Sequence, residues 1–190
     1  MEGIGIGISD FKMLRVRDNY YIDKTMYIKD IIDNQSGVIL ITRPRRFGKT
    51  LNMSMLKYYF DCRQKDSEEL FKGLKIMSQE EKYTSKLGYY PVIYLTLKDV
   101  AENTYENMLL SLKTAILNMY KEHIYLLDSN KIYGFEKEKI ENILYERENE
   151  NEIKTSIREL SEYLNRYYER PVILLIDEYD VPIQSAYVEG

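Results

Sequence analysis

The sequence predicts an α/β fold with a mainly parallel sheet covered by helices on both faces. Three observations carry that expectation. Compact apolar runs rich in β-branched residues recur at 38–41, 92–97 and 172–176. Amphipathic stretches with three- and four-residue spacing separate them. A Gly-Lys-Thr loop follows the first run and an Asp-Glu pair ends the third, both at strand ends where open α/β sheets hold ligands.

Taken in order, Ser9 and Asp10 precede Phe11 and Leu14, which predicts a short polar-capped helix over 9–18. A second helix is expected over 24–33, with Tyr27, Ile28, Ile31 and Ile32 on one side, Asp23 as its cap and Gly37 past its end. The run 38–41 reads as a buried strand, and Pro44 makes 43–48 a loop. Residues 50–60 read as helix, with Leu51, Met55, Leu56 and Tyr59 together; Met53 and Met55 point opposite ways, so core packing is expected of one of them. The polar stretch 66–88 reads as short helices and turns. Pro91 opens the second strand, 92–97. Tyr105, Leu109, Leu112, Ile116, Met119 and His123 mark a long helix, and Gly134 breaks the chain before another at 136–147. Ile153, Ile157, Leu160, Leu164 and Tyr167 phase a helix over 153–168, and Pro171 opens the third strand.

Composition narrows the function. The chain has 190 residues, 44% hydrophobic and 31% charged, a length that fits one domain or one plus a small accessory piece. No apolar run approaches the roughly 18–20 residues of a membrane span. The first ten residues lack the basic-then-apolar pattern of a signal peptide, so a cytoplasmic protein without membrane contact is expected. A single cysteine, Cys62, and a single histidine, His123, exclude an internal disulfide and multi-cysteine or multi-histidine metal centres. Cys62 reads as a small buried residue, and His123 as a partner of its helix's C-terminal dipole. The net charge of −4 gives no global case for nucleic acid. The acidic run 146–152 reads as solvated surface.

The sharpest local signal is Arg43-Pro44-Arg45-Arg46-Phe47-Gly48-Lys49-Thr50, between an apolar strand and a helix. That context suits a phosphate-binding loop, where backbone N–H groups and the helix dipole favour an anion. Lys49 would reach the terminal phosphates, the Thr50 hydroxyl would ligate Mg²⁺, and Gly48 would let the backbone approach closely. The usual pattern opens on glycine, but here that place is Arg43. Arg45 and Arg46 suit phosphate or a carboxylate elsewhere in the fold, and a basic surface loop is the plain alternative. The run Val172-Ile173-Leu174-Leu175-Ile176-Asp177-Glu178 supplies the second half: an aspartate at a strand end to hold Mg²⁺ and a glutamate to activate water. Its alternative is a strand whose acids cap the next turn. Asp180 fits either reading.

Together these motifs resemble a bacterial family, the predicted AAA-ATPase-like proteins. The matching residues are Arg43 through Leu51, the upstream Tyr21-Ile22-Asp23-Lys24-Thr25, the strand end from Ile176 through Asp180, and the opening Gly7 to Phe11. The resemblance extends from about Gly5 to Gln184, and within it Arg43 is the family's own residue. It implies a P-loop NTPase three-layer sandwich with ATP and Mg²⁺ as ligands. Arg43, Pro44, Arg45, Arg46, Phe47, Gly48, Lys49, Thr50 and Leu51 would bind nucleotide, Thr50 and Asp177 metal, and Lys49 and Glu178 would be catalytic. Longer members are similar to a fusion with a PD-(D/E)XK nuclease-like domain, which suggests nucleic acid as a partner. Tyr20 or Tyr21 is a candidate to stack on adenine, against the simpler role of Asp23 as a helix cap.

Two other readings compete with a Mg²⁺-dependent ATPase. One is a nucleotide-gated interaction module without useful turnover, since no sensor strand follows Glu178 and Arg166 and Arg170 sit at the wrong strand end for an arginine finger. The other is nucleic-acid association through Arg43 to Arg46. Oligomerisation is expected by analogy only. Residues 1–37 read as a helical lead-in, and 38–190 as the N-terminal part of an ATPase domain. The twelve residues after Glu178 are too few for a further strand-helix-strand unit.

Overall fold

The computed structural model describes residues 7–17, 19–42, 47–102 and 104–182. It is a mixed helix-and-strand chain whose named strands form one two-stranded parallel sheet. The chain divides into two compact units, Met1–Val92 and Ile93–Gly190.

The first unit is helical. Helix α1 (Phe11–Val16) starts where expected, with the Asp10 carboxylate accepting the Met13 N–H. Helix α2 is Met26–Asp33 and α3 is Lys49–Phe60. Short pieces follow, α4 (Ser67–Phe71), a 3₁₀ turn at Lys75–Ser78 and α5 (Glu81–Thr84). Phe11 sits against Phe71 with ring centroids 4.9 Å apart, and Tyr59 meets Phe71 edge-on at 5.0 Å. Ser54 on α3 accepts the Phe11 N–H at 2.8 Å, and Tyr58 donates to the Asp10 carboxylate, which ties α1 to α3. Arg15 donates to the carbonyls of Leu70 and Lys72 and ties α1 to the end of α4. Met53 and Met55 are both buried, so α3 is packed on more than one side and the expectation of one core methionine is corrected.

Two further expectations fail here. Residues 38–41 form no strand, and Val38 and Leu40 are 86% and 65% exposed. An apolar run becomes a buried strand only when neighbouring strands take its N–H and C=O groups. Among the described residues no ladder reaches this one. The α2 cap also differs: the N-cap is Thr25, without a side-chain cap bond. The Asp23 carboxylate accepts the Thr25 N–H and hydroxyl, and its other oxygen accepts the Lys75 N–H at 2.8 Å. Thr25, fully buried, then accepts the Ile76 N–H. Asp23 and Thr25 are therefore a clamp between the chain before α2 and the 3₁₀ turn.

In the second unit, α6 (Tyr105–Lys121), α7 (Gly134–Leu144) and α8 (Glu150–Tyr168) pack on one another. Strand β1 is Val92–Thr96 and β2 is Ile173–Asp177. Gly134 opens α7 instead of breaking the chain before it. Asn149 and Glu152 form a capping box at the start of α8, satisfying N–H groups that the first turn leaves open. The core joins Ile93 and Leu95 to Ile116, Met119 and Tyr120, then to Leu160, Tyr163 and Leu164. Complete burial of a side chain such as Leu160 contributes roughly 1.5–3 kcal/mol. The Tyr120 hydroxyl, inside this core, donates to the Ser156 carbonyl at 2.9 Å. His123 lies just beyond α6, buried, with Nδ1 3.1 Å from the Tyr125 hydroxyl. Cys62, in the first unit, is half-buried. No helix among the described residues is long and apolar enough to cross a membrane.

Candidate functional site

The described part of the phosphate-loop motif begins at Phe47, which is 62% exposed. Arg43, Pro44, Arg45 and Arg46 lie outside the described residues. Gly48 is the N-cap of α3 and takes a left-handed backbone, φ +73° and ψ +27°. A side chain there would be strained by the angle, although among the described residues a Cβ would meet nothing within 4 Å. Its carbonyl accepts the Asn52 N–H at 3.0 Å, so the helix is engaged from its first turn. As a glycine, Gly48 has no side chain with which to cap that end. Lys49, Thr50 and Leu51 follow at once, all half-buried. A helix start carries N–H groups without intrahelical acceptors and the positive end of the dipole, and a lysine here adds a full charge.

The Tyr21–Thr25 element is near this helix but is already engaged. The Tyr21 hydroxyl lies 3.3 Å from Met55 Sδ on α3 and accepts the Lys24 N–H, and its ring meets Phe11 edge-on at 5.4 Å. Burial raises the Tyr21 phenol above its ordinary value, so it stays a neutral hydroxyl. Tyr20, by contrast, is 60% exposed.

The second motif ends β2. Asp177 is buried, at 4% exposure. One carboxylate oxygen accepts the following Glu178 N–H at 3.1 Å, and the other lies 3.5 Å from the Tyr94 hydroxyl of β1. The Leu97 N–H donates to the Asp177 carbonyl, which fixes the register of the parallel pair at this point. Glu178 leaves the strand with φ +54°, unusual for a residue with a side chain, and its carbonyl accepts the Val181 N–H in a tight turn. Asp180 is half-buried in that turn. Tyr94 escaped the sequence reading. Only the register of β1 against β2 identifies it, and register is not written in either strand alone.

Lys49 and Thr50 belong to the first unit, and Asp177 and Glu178 to the second. Among the described residues no three His, Cys, Asp or Glu side chains gather as a metal-binding group. A hydroxyl and a single carboxylate are nonetheless the kind of hard oxygen donors that suit Mg²⁺, which keeps several waters and phosphate oxygens. Arg166 is committed elsewhere: its Nη1 lies 2.6 Å from the buried Glu136 carboxylate.

Comparison with known proteins gives a family. The profile of the family described as Predicted AAA-ATPase matches residues 5–190. An uncharacterized protein in the vnfD 5' region of Azotobacter chroococcum mcd 1 is 39% identical over 72 residues, 37% of this chain and 13% of that protein. The match thus spans about an eighth of that relative's length. No solved structure matches the chain. With a family match that runs over nearly its whole length, the chain belongs to the predicted AAA-ATPase family.

Proposed function

We propose that the chain binds ATP with Mg²⁺ within a P-loop NTPase sandwich, and that the intact protein, in the cytoplasm, hydrolyses it. The observation that carries this reading is the start of α3: a left-handed Gly48 as cap, with Lys49 and Thr50 in the first turn. On this reading residues 43–51 cradle the phosphates, Lys49 offsets their charge, and Thr50 and Asp177 hold the metal. Bound Mg²⁺ would supply charge neutralisation at the phosphate oxygens. Glu178 orients and deprotonates the attacking water.

The test is a titration of labelled ATP against wild type and Lys49→Ala. A charge-assisted contact to phosphate contributes about 1.5–3 kcal/mol, so affinity should fall roughly 10- to 150-fold. Equal affinity in both proteins overturns the assignment. A second reading, nucleotide binding as a switch without useful turnover, draws support from Arg166, whose engagement with Glu136 removes it as a source of transition-state charge. Steady-state turnover by the isolated chain would count against that second reading.

A further inference from the structure

We propose that Tyr94 is a positioning residue for Asp177: its hydroxyl holds the plane of the carboxylate, so that the group presents its remaining lone pairs to a divalent cation. This rests on the reading of the chain as a binder of ATP with Mg²⁺. Both residues belong to the second unit, so the pair needs nothing from the first. On β1, Ile93 and Leu95 belong to the core with residues of α6 and α8. Side chains alternate along a strand, so Tyr94 points to the other face. There the hydroxyl of this half-buried residue lies 3.5 Å from Asp177 Oδ2 at the end of β2. The Leu97 N–H, 3.0 Å from the Asp177 carbonyl, holds the strands in this register, so the backbone sets the approach.

Asp177 needs such a partner. At 4% exposure it is cut off from most of the water that would hydrate a carboxylate, and a buried charge without donors is costly. A carboxylate has about four acceptor sites over its two oxygens. Oδ1 accepts the Glu178 N–H at 3.1 Å and Oδ2 faces Tyr94, which leaves acceptor capacity on both oxygens for a cation.

The torsion that turns an aspartate carboxylate is broad, without sharp staggered wells. A single tether at Oδ1 lets the plane swing about it, and a donor at Oδ2 opposes that swing. At 3.5 Å the contact is longer than the O–H···O distance of about 2.7–2.8 Å that is most common. A modest turn of the carboxylate shortens it, so Tyr94 favours one direction of turn over the other. Donors that orient a ligating carboxylate from outside commonly change metal affinity by about 10- to 100-fold.

The experiment uses the full chain and Tyr94→Phe, which keeps the ring and removes the hydroxyl. Labelled ATP is titrated over a series of Mg²⁺ concentrations and in EDTA. The Mg²⁺ concentration that gives half of the metal-dependent gain in affinity should rise about tenfold in Tyr94→Phe, with affinity in EDTA and the unfolding midpoint of the unliganded chain near those of wild type. A merely structural role would move those two instead. The proposal is overturned if wild type responds to Mg²⁺ and Tyr94→Phe shares its midpoint, or if Tyr94→Phe weakens binding equally with and without metal; the ATP reading stands in both cases. If wild-type binding does not respond to Mg²⁺ at all, that reading fails and the role of Tyr94 falls with it.

Discussion

Gly48 opens α3 and Glu178 leaves β2, and both take left-handed backbone angles, φ +73° and +54°. At Gly48 the angle costs little, because no Cβ approaches the following carbonyl; at Glu178 the same region costs about 1–2 kcal/mol. Glu146 and Glu169 share φ +55°, but they close the ends of α7 and α8, where a left-handed residue is an ordinary helix stop. Glu178 follows a strand and a buried aspartate instead. The comparison teaches that strain does not by itself mark a functional carboxylate. What singles out Glu178 is strain together with its place beside Asp177.

The largest expected effect tests that conjunction directly. On the proposed reading, Glu178→Gln keeps the backbone turn and the ATP affinity while losing the base, so turnover should fall by about 10²–10⁴-fold. Phosphate release in steady state measures it. Unchanged turnover would place Glu178 with Glu146 and Glu169 as a purely structural left-handed residue.

The backbone side of the comparison is broken by exchanging the two residue types. Gly48→Ala should destabilise the chain by about 1–2 kcal/mol from the angle, since among the described residues nothing lies within 4 Å of the added methyl. Glu178→Gly should be neutral or stabilising by up to about 1 kcal/mol, the relieved strain being partly offset by glycine's freedom in the unfolded chain. Urea midpoints at unchanged slope give both numbers. Equal destabilisation by the two substitutions would show that the backbone angle is not why glycine occupies position 48.

Much of this was legible in the sequence because it is local. Asp10 at the start of α1 caps as expected, and the Ile153–Leu160–Leu164 stripe of α8 faces the core. The family, too, was readable from contiguous motifs. What escaped depends on partners distant in the chain. Residues 38–41 have strand composition but no ladder among the described residues, so composition did not decide their state. Asp23 looked like a cap to its immediate neighbours, whereas its second oxygen reaches Lys75. Periodicity assumed one buried side for α3, yet Asn52, Met53, Ser54 and Met55 are all buried in succession. Tyr94 met Asp177 only through sheet register. At the candidate site the chemistry-bearing residue types were visible, while their hydrogen bonds and left-handed angles were not.

The smallest effect separates the two units by pH. Burial pushes the Asp23 carboxyl up, but bonds from Thr25 and the Lys75 N–H outweigh it and leave the group below its ordinary value. In the second unit, burial likewise raises Glu136, and the Arg166 guanidinium more than offsets it. A carboxyl depressed in the folded state adds stability above its unfolded pKa and loses it as pH falls through the folded value, here below about pH 4. Hydrogen exchange reads each clamp separately. Protection at the Lys75 and Ile76 amides should fall in that acid window, and in Asp23→Asn it should already be reduced at neutral pH, with α8 amides unchanged. Glu136→Gln should do the converse, loosening the start of α7 and sparing the 3₁₀ turn. If Asp23→Asn instead loosens α8 as much as the Lys75 turn, the clamp belongs to the stability of the whole chain, and the two units do not respond to acid independently.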